Sequence, residues 1–136
     1  MSISEIFNVK GESHFRSLEL RSSQSISKLS NYVIAAGGGI VLQQEVVSNL
    51  AKNGILFYLK SDFDSIYSRI QKETGRPLFD LTSKTKFREL FFSRLRKYEE
   101  NADYTINTEQ KTVENICSEI KKIVIKKSRR HIHTTI

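Results

Sequence analysis

Short apolar runs alternating with segments of helical period predict an α/β fold, a parallel sheet with helices on its faces. Three observations carry this expectation. Tyr32-Val33-Ile34-Ala35-Ala36 and residues 55–59 are apolar throughout, as strands covered on both faces are, and turn residues (Asn31, Gly37, Asn53-Gly54) bound them. The intervening segments repeat apolar residues at helical spacing. The chain of 136 residues, 38% apolar and 27% charged, has the make-up of one ordinary soluble domain.

Taken in order, Ser2-x-x-Glu5 reads as a capping box that opens a helix with Ile3, Ile6 and Phe7 on one side, ended by Gly11. A second helix starts near Ser13, carries Phe15 and Leu18 inward and closes near Leu29. The first strand, residues 32–36, stops at Gly37-Gly38-Gly39. A helix through Val46, Val47 and Leu50 ends at Asn53-Gly54, and the second strand follows at 55–59. Asp62 caps a helix presenting Phe63, Ile66, Tyr67 and Ile70. Gly75-Arg76-Pro77 breaks that pattern and opens a loop lasting to about Ser83. The next helix, to Glu100, has its stripe at Phe87, Leu90, Phe91, Leu95 and Tyr98. A brief strand, Tyr104-Thr105-Ile106, precedes a last helix from Gln110 to about Lys126.

The net charge of +7 is unevenly placed. Residues 121–136 hold six basic side chains and no acidic one, which leaves 16 Lys and Arg against 15 Asp and Glu elsewhere. Residues 1–120 are thus nearly neutral; the domain is expected to span 1–126, and 127–136 form a basic tail in which Lys and Arg follow a helix C-terminus. Nucleic-acid binding is therefore disfavoured. One cysteine, Cys117, allows neither an intrachain disulfide nor a thiolate metal cage, and no apolar run is long enough to span a membrane. These features, with no signal-peptide layout at Met1, lead to the expectation of a cytoplasmic protein.

Ligands of parallel sheets bind beyond the carboxyl ends of the strands, where Gly37-Gly38-Gly39 falls. Its uncovered amides suit a close ligand or merely a tight turn. Arg94 stands in an apolar stripe, three residues after Phe91 and four before Tyr98. A charge there either pairs with an internal carboxylate or reaches a bound anion. Arg16 and Glu19 are i,i+3 neighbours that a surface pair explains, and Arg76 either covers a phosphate or is solvated. Cys117 lies on the stripe Val113, Ile116, Cys117, Ile120, Val124 and reads as a buried thiol; His131 and His133, without partners for a metal set, read as part of a loose end.

These fragments occur in a telling order: Ile6-Phe7, Gly11-Glu12, Phe15-Arg16-x-x-Glu19, Gly37-Gly38-Gly39, Arg76-Pro77-Leu78, and Arg94-x-x-x-Tyr98 before Ala102-Asp103. The set resembles shikimate kinase from Ser2 to about Ile123. The resemblance implies a nucleoside-monophosphate-kinase-like P-loop kinase fold and transfer of the ATP γ-phosphate to the 3-hydroxyl of shikimate, with Mg²⁺, in aromatic amino-acid synthesis. It implies that Arg16, the amide of Gly38 and Arg94 bind shikimate, both arginines holding its carboxylate. It also implies that Arg76, in a lid loop at 73–83, closes over ATP and that Lys111 approaches the adenine.

The same resemblance marks what these residues do not include. No G-x-x-x-x-G-K-[ST] stands anywhere in the chain, and the family's first strand, P-loop and second strand with its substrate aspartate have no match. The phosphate and metal ligands are thus not among these residues, and no catalytic residue is assigned. In the family's sheet order, 2-3-1-4-5, the first strand lies between residues 32–36 and 55–59. Its loss implies marginal stability, unless those two strands pair directly or a separate chain supplies the strand. Two readings follow: an active shikimate kinase whose start has been placed at an internal methionine or truncated, or a non-catalytic remnant or binding subunit that holds a shikimate-like acid.

Overall fold

The structure is a computed structural model describing residues 1–72 and 83–132, with side chains described for 1–72 and 83–127. The first helix, α1 (Ile3–Ile26), opens on the expected capping box: the Ser2 hydroxyl accepts from the Glu5 amide while the Glu5 carboxylate accepts from the Ser2 amide. Gly11 breaks α1 in two, with φ 78° and ψ 171°, a backbone region that only glycine occupies without strain. Phe7 and Phe15 pack across the break, ring centroids 4.7 Å apart. The helix closes at Ile26, three residues before the expected Leu29.

After the glycines the chain winds into a 3₁₀ helix (Gly38–Leu42) and then α2 (Gln44–Ala51). Val46 and Val47, at 2% and 4% exposure, bury α2 against α1. A polar seam accompanies them: the buried Asn49 amide donates to the buried Ser23 hydroxyl at 3.1 Å, which itself donates to the Leu20 carbonyl. Asn49 and Ser23, the buried polar side chains of this seam, therefore both have partners, as a stable interface requires. Gly54 then turns the chain where a Cβ would lie 2.6 Å from the Leu50 carbonyl oxygen.

Two strands, β1 (Phe57–Lys60) and β2 (Tyr104–Asn107), pair in parallel with Phe57 opposite Tyr104 and Leu59 opposite Ile106. Ile106 is among the most buried side chains, at 2% exposure. Below the sheet's start, the Asp103 carboxylate accepts from the Leu56 amide at 2.8 Å and fixes the register. The helix α3 (Phe63–Lys72) begins at the Asp62 cap, whose carboxylate accepts from the Ser65 amide at 2.7 Å. That bond is the first of several that hold the Asp62 carboxyl below the usual carboxylate range. α3 packs on α4 (Lys84–Asn101) through Phe63, Tyr67, Phe87 and Phe91.

Residues 32–36 differ from expectation. They pair with no strand among the described residues, and Val33 is fully exposed, Tyr32 68% and Ile34 46%. Direct pairing with β1 does not occur either: among the described residues the sheet has two strands, β1 and β2. An apolar run becomes a strand only where a neighbour offers a row of donors and acceptors. In the sheet order that the resemblance implies, 2-3-1-4-5, this run would lie between the second and first strands, and among the described residues neither of its edges meets a strand.

The last helix, α5 (Val113–Ile132), starts three residues later than expected and continues past Lys126 into the basic tail. The expected burial of Cys117 is overturned. Its thiol is exposed, as are Val113, Val124 and Ile125. A sheet two strands wide is too narrow to cover the stripe of α5, which contacts β2. Residues 73–82, with Arg76 and nearly all of the lid loop expected at 73–83, and the side chains of His131 and His133 lie outside the described residues. Among the described residues no helix is long and apolar enough to cross a membrane.

Candidate functional site

Three elements meet at the glycine turn: the second half of α1, the 3₁₀ helix and α4. Their meeting explains two of the three glycines. A Cβ on Gly39 would lie 2.7 Å from Nη1 of Arg16, and one on Gly38 would lie 2.9 Å from the Tyr98 hydroxyl. Nothing lies within 4 Å of a Cβ built on Gly37. The turn is thus glycine-rich where an arginine and a tyrosine press on its backbone.

Arg16 is 15% exposed at its side chain, so its pairing with Glu19 is a half-buried interaction and not the surface pair its spacing suggested. Nη1 donates to Glu19 at 2.6 Å, while Nε and Nη2 donate to Glu12 at 3.2 and 2.9 Å. Burial works against the charged guanidinium, but the bonds to Glu19 and Glu12 outweigh it and hold the Arg16 pKa above its ordinary value. Three of its five N–H donors are engaged, leaving two for a ligand. Gln43, one residue past the 3₁₀ helix, donates to the same Glu19 oxygen that Arg16 uses, at 3.0 Å, and so ties the glycine turn to α1. Local spacing could not have shown this 24-residue contact.

Arg94 lies on the face of α4 that Tyr98 also occupies, one turn earlier. Its Nε is buried and has no hydrogen-bond partner, and among the described residues no carboxylate pairs with it. Of the two explanations open to a charge in an apolar stripe, the internal pair is not found among these residues. A buried, unsatisfied guanidinium nitrogen is costly, typically about 1–3 kcal/mol, and such groups persist where a ligand completes them.

Lys111 sits in the loop that follows β2, at the carboxyl end of the sheet, where its ammonium pairs with Glu119 of α5 at 2.6 Å. Beside it lies a cluster the sequence reading did not single out. Glu109 accepts from the Ser61 hydroxyl, from the Asp62 amide at 2.9 Å and from the Ser65 hydroxyl at 3.2 Å, and so joins the loops that follow the two strands. The only hint was a polar residue directly after each strand. No group of three or more His, Cys, Asp or Glu side chains stands ready for a metal among the described residues.

Chemically, the turn offers backbone amides and two spare Arg16 donors, and one helical turn along α4 from its Tyr98 contact stands Arg94 with its unpartnered Nε. Planar guanidinium forks match a carboxylate, so the arrangement suits a small organic acid better than a neutral ligand. Among the described residues no set of oxygen donors is assembled for Mg²⁺; Glu109 and Asp62, which follow the two strands, are engaged in loop and cap bonds.

Comparison with known proteins agrees with this geometry. The family model for shikimate kinase matches residues 1–125. The chain is 40% identical over 127 residues to the shikimate kinase of Caldanaerobacter subterraneus subsp. tengcongensis, covering 93% of this chain and 74% of that protein. It is 38% identical over 123 residues to that of Thermodesulfovibrio yellowstonii, covering 90% and 70%. Among solved structures, shikimate kinase from Acinetobacter baumannii in complex with shikimate superposes with a TM-score of 0.84 at 28% identity, covering 93% of this chain and 71% of that one. The Aquifex aeolicus shikimate kinase gives 0.73 at 27% identity, covering 90% and 72%.

Proposed function

Because this chain belongs to the shikimate kinase family, we propose that it binds shikimate at the glycine turn and presents the 3-hydroxyl for phosphorylation by ATP, a cytoplasmic step of chorismate and aromatic amino-acid synthesis. Arg94 and the two free donors of Arg16 hold the carboxylate, and the Gly38 amide holds the ring. The observation that carries the proposal is the buried Arg94 Nε without a partner, which a carboxylate would satisfy. Two guanidiniums on one carboxylate fix the orientation of the ring, which is how an enzyme turns binding into alignment of the attacking oxygen. Arg76 and Lys111 are assigned to the nucleotide, Arg76 over its phosphates and Lys111 at the adenine.

Phosphoryl transfer also calls for a phosphate cradle and Mg²⁺; the pattern G-x-x-x-x-G-K-[ST] does not occur in these 136 residues, and no metal-ready group of side chains stands among the described ones. What its own residues do is recognise and orient the acid. A second reading, a binding subunit that holds the acid without transferring phosphate, rests on the same buried Arg94 Nε, which calls for a bound acid and not for a phosphate donor. Calorimetry with shikimate tests the shared part: heat of binding is expected for the chain as it stands, and none for Arg94→Ala. Absence of heat from the parent protein would reject the acid site. ATP-dependent phosphorylation of shikimate, measured on the same sample, then separates the kinase from the binding subunit.

Gly39 gives a sharper check on Arg16. Alanine there places a methyl 2.7 Å from Nη1, and the flexible guanidinium yields before the backbone does. The Gly39→Ala protein should melt with the parent yet bind shikimate about tenfold more weakly, the value of one displaced charge-assisted bond. Undiminished affinity would remove Arg16 from the site.

A further inference from the structure

The structure assigns to Tyr98 the role of a positioning residue, a latch that sets the register between the glycine turn and the face of α4 that carries Arg94. Its hydroxyl donates to the Gly38 carbonyl at 2.9 Å, a contact spanning 60 residues of chain. Its ring stacks on Tyr58 of β1 with centroids 5.1 Å apart and planes 21° off parallel. The phenol is thus held from behind by the sheet while its tip holds the turn. Burial pushes the Tyr58 pKa up, as befits a ring enclosed in this stack.

The fit at the tip is close on both sides. Gly38 has no side chain because the hydroxyl occupies the space beside its Cα, 2.9 Å from where a Cβ would stand. A hydrogen bond to the carbonyl fixes the following peptide plane, and through it the short 3₁₀ bond from the Ile40 amide to the Gly37 carbonyl at 3.2 Å. Tyr98 itself touches no ligand in this reading. It keeps the Gly38 amide and Arg94 at the separation a single acid needs, since Arg94 lies one helical turn away on the same face.

This inference rests on the acid-binding reading, and its test has one arm that does not. Tyr98→Phe keeps the stacked ring and removes only the hydroxyl. Amide exchange at Ile40 and its neighbours in the 3₁₀ helix should speed up about tenfold, the worth of one neutral hydrogen bond, with exchange in α2 and β1 unchanged. The Kd for shikimate, by calorimetry, should rise by about the same factor. In an Arg94→Lys background, already weakened, the loss from Tyr98→Phe should shrink, because the two act on one contact. Gly38→Ala, which pushes the latch from the other side, should reproduce the faster exchange. Unchanged exchange overturns the latch whether or not shikimate binds. Binding that Tyr98→Phe leaves intact, or an equal loss in both backgrounds, overturns its role in positioning Arg94. Failure of the parent protein to bind shikimate overturns the acid-binding reading and, with it, that positioning role.

Discussion

Replacing Arg94 with methionine should abolish most shikimate binding and leave the fold as stable as before, or more so. The two effects have one cause. The Arg94 Nε is buried without a partner, and an unsatisfied buried donor costs about 1–3 kcal/mol. Methionine keeps the apolar stem that packs in the stripe of α4 and removes the unsatisfied group. Thermal melting should therefore show no loss. Binding depends on that same group: a bidentate guanidinium–carboxylate contact is made of charge-assisted bonds worth about 1.5–3 kcal/mol each, so the Kd should rise about 100-fold or more. Run together, melting and calorimetry separate a ligand-binding arginine from a structural one. A lower melting temperature with binding intact would mean that Arg94 holds the protein together and not its substrate.

Ile106→Ala should be the most damaging substitution to the fold, costing about 2–4 kcal/mol in urea unfolding. Ile106, 2% exposed, is at the third position of a four-residue strand in a two-stranded sheet. A cavity there is enclosed by packed neighbours that can collapse only in part, and a domain with total stability of about 5–15 kcal/mol feels such a loss strongly. Val33→Ala is the natural contrast. Val33 is fully exposed, and its truncation should change stability by no more than about 0.5 kcal/mol. If Val33→Ala costs as much as Ile106→Ala, residues 32–36 are covered in solution, and the two-stranded sheet is not the whole of it.

The amino-acid sequence by itself determined what depends on a few adjacent residues. Ser2 with Glu5, Asp62 with Ser65, and the break at Gly11 were all readable, because a cap or a left-handed glycine is satisfied within one helical turn. Both strands that pair were placed within two residues of their ends, since a run of branched and aromatic side chains between turns has little else to become. The order of the arginine and glycine motifs gave the family. Tertiary structure decided everything that belongs to a pair of distant groups. The same apolar pattern at 32–36 produced no strand, and the stripe through Cys117 remained wet, because periodicity states which face a segment would bury and not whether a neighbour is there to bury it. Arg94 was suspicious in the sequence, but only the folded chain could show that no described carboxylate meets it. Tyr98 reaching Gly38, Gln43 reaching Glu19, and Glu109 joining two loops cross 60, 24 and about 45 positions of chain. Such contacts are set by how helices and strands pack in space, and the residues at either end carry no local mark of the partner they will meet.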